Sequence, residues 1–400
     1  MDLGFQGRLF PVFTRNSYLS LHIGDNLAIG AATLVSYSKV RRRIETRTSI
    51  LPGIRGLSLL LALAVPAIPT FAAEHIQMPT GDLRAAVLTD LKPHSSSSKT
   101  YNEFWTYHFY LDGNIQVILN FSRANLGSFK DPVCGADLTI MGFKGKNLTV
   151  AREYDKKNFT FSESDQELRV HEKISFSGKL PDAHHVHFAT TKKEVGYLLD
   201  LDFSDILPGK VWGDGMFKFG GGDAVGIFIH IPSATVKGKL AINKDTLDVS
   251  GRAYMDHTFQ TDLAPHLVGS GFRFVTQEGP LETGYVLNPL GKFDKQPVGY
   301  GLRMVNGNLV LRKPTALKAL SSGKAMGMKI ATSLEITYLD GGKSVMNRSG
   351  DRLQQSVLHE FSGFTKSLVK SFMGGEIFTF RGLGNLNGTQ AMAYNWFAVE

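Results

Sequence analysis

From Tyr101 onward, hydrophobic and polar positions alternate in short runs separated by Gly, Asn and Asp. Trp105-Thr106-Tyr107-His108-Phe109-Tyr110-Leu111 alternates, Asp112-Gly113-Asn114 supplies a turn, and Ile115 to Phe121 returns. An Asp-Gly turn between two such runs predicts a β-hairpin. Comparable runs fall at 147–154, 157–162, 167–176, 184–190, 195–203, 225–231, 234–240 and 246–254. They continue at 271–275, 283–287, 297–306, 331–338, 356–362, 375–381 and 390–399. Period two with this punctuation predicts an all-β chain, built as a sandwich or barrel. Only 314–322 (PTALKALSS) carries a helical period.

An eight-stranded up-and-down barrel uses roughly 120–180 residues at ordinary strand and loop lengths. Residues from 73 onward hold about twice that. The economical reading is two tandem antiparallel barrels, over 73–245 and 246–400. Residues 74–99 form an irregular lead-in with a flexible Ser95–Ser98 tract.

Ahead of the barrels, Arg41, Arg42, Arg43, Arg47 and Arg55 precede an apolar run from Leu57 to Pro69, followed by Thr70-Phe71-Ala72-Ala73. A basic region, a short apolar region and small residues at a cut site predict a secretory signal cleaved after Ala72. The run is shorter than the roughly 20 apolar residues a spanning helix needs, and Pro66 interrupts it. The expected location is therefore periplasmic or extracellular, with a bacterial source favoured. Residues 1–40 carry no targeting pattern, so translation is expected to start downstream of Met1; peptides from 1–40 in the cellular protein would refute this.

The leader also explains the charge. Residues 1–72 hold eight Lys/Arg against three acids, a net of +5, leaving +3 of the chain's +8 for the rest. With no basic stripe interleaved with aromatics there, nucleic-acid binding is not expected. Cys134 is the single cysteine, which excludes an internal disulfide and a cysteine-based metal site.

The most distinctive stretch runs from Ile229-His230-Ile231-Pro232-Ser233-Ala234-Thr235-Val236-Lys237-Gly238-Lys239-Leu240 to Val249-Ser250-Gly251-Arg252-Ala253-Tyr254-Met255-Asp256-His257-Thr258-Phe259. An Asp beside a His can orient the imidazole for acid–base work. On a regular strand, however, Tyr254 and Asp256 share one face and His257 takes the other, so a direct pair requires a bulge. The competing reading is structural: Asp256 caps a turn and His257 satisfies backbone groups at a strand corner.

This stretch resembles the segment shared by AttH-like proteins, carotenoid 1,2-hydratase (hydroxyneurosporene synthase) and the yeast survival-factor proteins, over about 30 residues (229–259). The resemblance implies two tandem lipocalin-like (calycin) barrels. It implies as catalytic candidates Asp256, His257 and, assisting, Tyr254, with Phe259 at the place of an aromatic that is Trp in the hydratases. A Tyr-x-Asp expected downstream is missing; Phe272-Arg273-Phe274 and Tyr285 occupy that region. Phe259, Trp212, Phe272, Arg273 and Tyr285 are the expected ligand-binding residues. The favoured function is binding or transfer of a hydrophobic small molecule, a lipid or isoprenoid, without a cofactor. Peripheral association with a membrane is compatible with that reading. The alternatives are a hydratase or isomerase using Asp256 and His257, and a structural envelope protein with filled barrels.

Two further features remain. His184, His185 and His187 follow Asp182, and His185 and His187 share a strand face; two histidines are not a site and no third ligand is identifiable, so no metal is assigned. The three Trp residues, Trp105, Trp212 and Trp396, sit among other aromatics, as core or cavity lining.

Overall fold

The computed structural model describes residues 74–400, apart from 126, 128–130, 294, 360, 361 and 389. The expected leader and its cleavage site lie outside the described residues. Two antiparallel sheets hold 64% of the described residues, as the alternation predicts.

The first sheet comprises β1 (Leu83–Ala85), β2 (Asn102–Leu111), β3 (Ile115–Ala124), β4 (Val133–Phe143), β5 (Lys146–Asp155), β6 (Thr160–Ser162), β7 (Glu167–His171) and β8 (Ile174–Ser177), followed by β9 (His184–Lys192), β10 (Val195–Ser204), β11 (Lys210–Trp212), β12 (Met216–Lys218), β13 (Ala224–Ile242) and β14 (Asp245–Gln260). Its main path runs β5-β4-β3-β2-β14-β13-β10-β9-β8-β7-β6, and the short turn Lys156–Asn158 joins the two ends of that path. Inside this barrel Trp105, Tyr107, Phe121, Leu138, Phe188 and Leu201 form part of one water-excluded core, and a cavity of about 540 Å³ is lined by Tyr154, His171, Thr190 and Tyr197.

The second sheet comprises β15 (Val268–Thr276), β16 (Glu282–Pro289), β17 (Val298–Val305), β18 (Asn308–Arg312), β19 (Pro314–Ala325), β20 (Met328–Tyr338), β21 (Lys343–Ser356), β22 (Ile377–Leu386) and β23 (Gln390–Val399). Its order is β18-β17-β16-β15-β23-β22-β21-β20-β19. Phe272 and Val286 of one arm pack with Ile330 and Leu334 of the other, so the sheet curls over its own core.

The long β13–β14 hairpin joins the two sheets. Register shifts around Pro232 exchange the faces of β13, as expected where a proline cannot donate to the ladder. Val225, Ile227 and Ile229 therefore pack against Tyr285, Leu287 and Tyr300 of the second sheet, while Ile231 and Val236 enter the first barrel.

Three expectations change. The passage between sheets falls at 261–267 rather than 245/246, because all of β14 pairs within the first sheet, with β13 and β2. Segment 314–322 is strand, paired with β20 over the whole of β19, so cross-strand pairing overrides its helical residues. Of the expected strand 356–362, Ser356 ends β21 and 357–359 turn; helix α1 (Gly363–Met373) lies beyond, and Gly374 terminates it in the left-handed conformation. Among the described residues no helix is long and apolar enough to cross a membrane.

Candidate functional site

Strand alternation divides the Tyr254–Phe259 motif between two environments. Tyr254, Asp256 and Thr258 face the second sheet; His257 faces the lead-in segment and the barrel end. Asp256 and His257 do not pair, so the acid–base pair implied by the resemblance is not assembled here. The cause is the unbroken ladder that β14 makes with β2, Asp256 opposite Thr106 and His257 opposite Trp105, which leaves no bulge.

On the first face Asp256 is fully buried. Its Oδ2 accepts from Arg273 Nε at 2.6 Å and from the Tyr254 hydroxyl at 2.9 Å. Arg273 reaches Thr258 Oγ1 at 3.3 Å and lies 3.8 Å from the centroid of the Tyr285 ring. Burial opposes the Arg273 cation, but the Asp256 carboxylate outweighs it and holds its pKa above the ordinary arginine value. Asp256 Oδ1 has no hydrogen-bond partner. Beside this ion pair, between the sheets, lies a cavity of about 180 Å³ whose lining includes Thr106, Thr258, Phe259, Arg273, Tyr285 and Asn395. Phe259, Arg273 and Tyr285 thus line one cavity, with Asp256 and Tyr254 behind them. The cavity is smaller than the roughly 300–1,000 Å³ typical of ligand pockets.

His257 occupies a buried charge network. Its Nδ1 lies 2.6 Å from the Asp90 carbonyl oxygen and its Nε2 2.9 Å from Glu103 Oε1. Glu103 also accepts from the His94 backbone N–H at 2.8 Å and from Arg123 Nε at 2.5 Å. Burial alone would raise the Glu103 pKa, but the hydrogen bonds from His257 and His94 and the charges of His257 and Arg123 prevail, drawing it from 4.5 to about 2. Both ring nitrogens of His257 are therefore engaged, one beside a carbonyl oxygen and one beside a carboxylate, so neither is open to a substrate. Trp105 stacks on it at 4.4 Å and 10°. Sequence reasoning missed Glu103, Arg123 and Asp90. The available signal was a glutamate next to Phe104-Trp105 in an otherwise apolar strand, since a buried acid requires a partner.

The remaining expected residues lie elsewhere. Trp212 packs between the sheets near Phe217 and donates its Nε1–H to the Gly81 carbonyl at 3.2 Å; it does not join the 180 Å³ cavity because β11 pairs with β1 and β13, away from that cleft. Phe272, one residue from Arg273, points to the opposite face of β15 and into the second barrel. There it helps to line a larger cavity, about 560 Å³. Buried Phe272, Ile330, Leu334 and Trp396 form its base, and exposed Asn288, Lys329 and Glu400 lie toward its rim.

Comparison with known proteins finds no matching family model and no matching curated protein. Solved structures do match. An AttH protein of Nitrosomonas europaea superposes with a TM-score of 0.57 at 12% identity, over 81% of this chain and 100% of that one. CghA, solved with Sch210972, gives 0.53 at 12% identity, over 81% and 98%. Kievitone hydratase of Nectria haematococca gives 0.45 at 10% identity, over 80% and 94%. The resemblance drawn from residues 229–259 is thus met at the level of architecture: the chain has the tandem lipocalin-like fold of the AttH protein and CghA.

Proposed function

We propose that the protein binds an apolar small molecule, a lipid or isoprenoid with a polar end, inside the second barrel. The observation that carries this reading is the cavity of about 560 Å³ based on Phe272, Ile330, Leu334 and Trp396. Its size falls within the range of small-molecule pockets, and its buried base is apolar. A ligand's polar end would lie at the rim beside Lys329, in water. The cavity of about 540 Å³ on the first barrel lacks such a base: of its lining residues only Ala241 is buried. That CghA was solved with Sch210972 supports the same class of role for this fold.

A hydratase or isomerase mechanism through Asp256 and His257 has less support, because the two side chains lie on opposite faces of β14 and each is held by another partner. Chemistry at the inter-sheet cavity would have to use Tyr285, which lines it beside Arg273.

The test is native extraction. The full chain is purified from its source or a lipid-rich host and extracted with organic solvent, and the extract is analysed by mass spectrometry. A stoichiometric apolar molecule, absent from a Leu334→Trp variant, is expected. Empty protein from several hosts would sink the reading and favour a structural role.

A further inference from the structure

The outer wall of the first barrel supplies the ligand that the sequence lacked for its histidine pair. His185 and His187 alternate outward on β9, and the register with β10 places Asp202 opposite His185 and Asp200 opposite His187. His187 Nδ1 lies 2.8 Å from Asp200 Oδ2. His185 Nδ1 lies 2.8 Å from Asp202 Oδ1, which leaves its Nε2 directed toward Asp200, 3.8 Å from Oδ1. One donor atom each from His185, His187 and Asp200 lie within 4.8 Å of one another.

We infer that His185, His187 and Asp200 form a surface site for a borderline divalent transition metal such as Zn²⁺, with Asp202 as the residue that orients His185. Two imidazoles and a carboxylate suit Zn²⁺ at donor distances of about 2.0–2.2 Å. The three donors need close by only about an ångström or so around such an ion, through side-chain rotation on a fixed sheet. With Nδ1–H of His185 donated to Asp202, the lone pair sits on Nε2, the nitrogen that faces Asp200; a carboxylate holding the far side of a ligating histidine is the usual outer-shell arrangement. Three protein ligands leave a fourth position to water, so the ion is exchangeable rather than structural. Ser175 and Ser177 flank the pair on β8, and exposed Lys237 and Lys239 stand opposite Asp202 and Asp200 on β13. The lysines oppose the cation and weaken its binding.

A second cluster, His94, Glu103 and His257, is equally close. Its carboxylate is already saturated by N–H donors, and both nitrogens of His257 are engaged.

The test is calorimetric titration of the full chain with ZnCl₂ after chelator treatment, with Co²⁺ absorption as a second readout. One Zn²⁺ per chain is expected. His187→Ala and Asp200→Asn should each weaken it at least about tenfold, and Asp202→Asn about tenfold through the loss of His185 orientation. The side chains are at the surface, so circular dichroism should be unchanged in all three. His94→Ala should bind as the parent does. Absence of Zn²⁺ binding, binding that survives a His185→Ala/His187→Ala double variant, or loss confined to His94→Ala would each overturn the proposal.

Discussion

The sharpest consequence of the buried charge network concerns Glu103→Gln. Glu103 is fully buried, and His257, His94 and Arg123 all donate to it. Its pKa falls from 4.5 to about 2 on folding. At about 1.4 kcal/mol per tenfold change in proton affinity, the difference is worth about 3 kcal/mol of stability. The sign follows from proton counting. Below pH ~4.5 the unfolded chain binds a proton that the folded chain refuses, so this stability is fully present above the unfolded value and is lost as pH falls toward about 2. At pH 7 the glutamine leaves half-buried Arg123 and buried His257 without the carboxylate they share, at a cost of about 3–5 kcal/mol. The assay is urea unfolding of parent and variant from pH 7 to pH 2.5, followed by tryptophan fluorescence. The gap between the two should narrow by about 2.5 kcal/mol by pH 2.5. Acid effects from titrating groups outside this network are shared by both proteins and cancel in the difference. Parallel stability curves from pH 7 to 2.5 would refute the ionised Glu103 network and, with it, the structural role of His257 as one of its partners.

Three further outcomes are expected. Asp256→Ala should cost about 3–5 kcal/mol by stranding buried Arg273, and Arg273→Met should cost less; a double-mutant cycle in urea should show coupling of about 1–3 kcal/mol, and additivity would remove the inter-sheet ion pair from the account. His184, buried and 2.8 Å from the Tyr107 hydroxyl, has its pKa lowered by burial to about 3; it stays neutral while the unfolded chain takes up a proton below pH ~6.5, so His184→Phe should flatten the acid loss of stability by about 1.4 kcal/mol per pH unit between pH ~6 and ~4, measured by thermal melts. Leu334→Trp should fill the second-barrel cavity, weakening uptake of a fluorescent fatty acid at least about tenfold while changing stability by less than about 1.5 kcal/mol.

Local information carried far in this chain. Period-two alternation and the Asp112-Gly113-Asn114 turn determined the β class and the β2–β3 hairpin, because side-chain direction in a strand depends only on parity. The same parity placed Tyr254 and Asp256 on one face and His257 on the other before any partner was known. Where local preference and pairing disagreed, at 314–322, pairing prevailed. What only the tertiary structure decided was every partner: Arg273 for Asp256, Glu103 and Asp90 for His257, and Asp200 for the two histidines of β9. These groups lie between 13 and 167 residues apart along the chain. They meet through strand register and sheet packing, which no window of sequence encodes. The bulge at Pro232, which turns one long strand from the barrel core to the second sheet, was visible as a proline in a strand; its effect on which side chains meet depended on the sheet across from it.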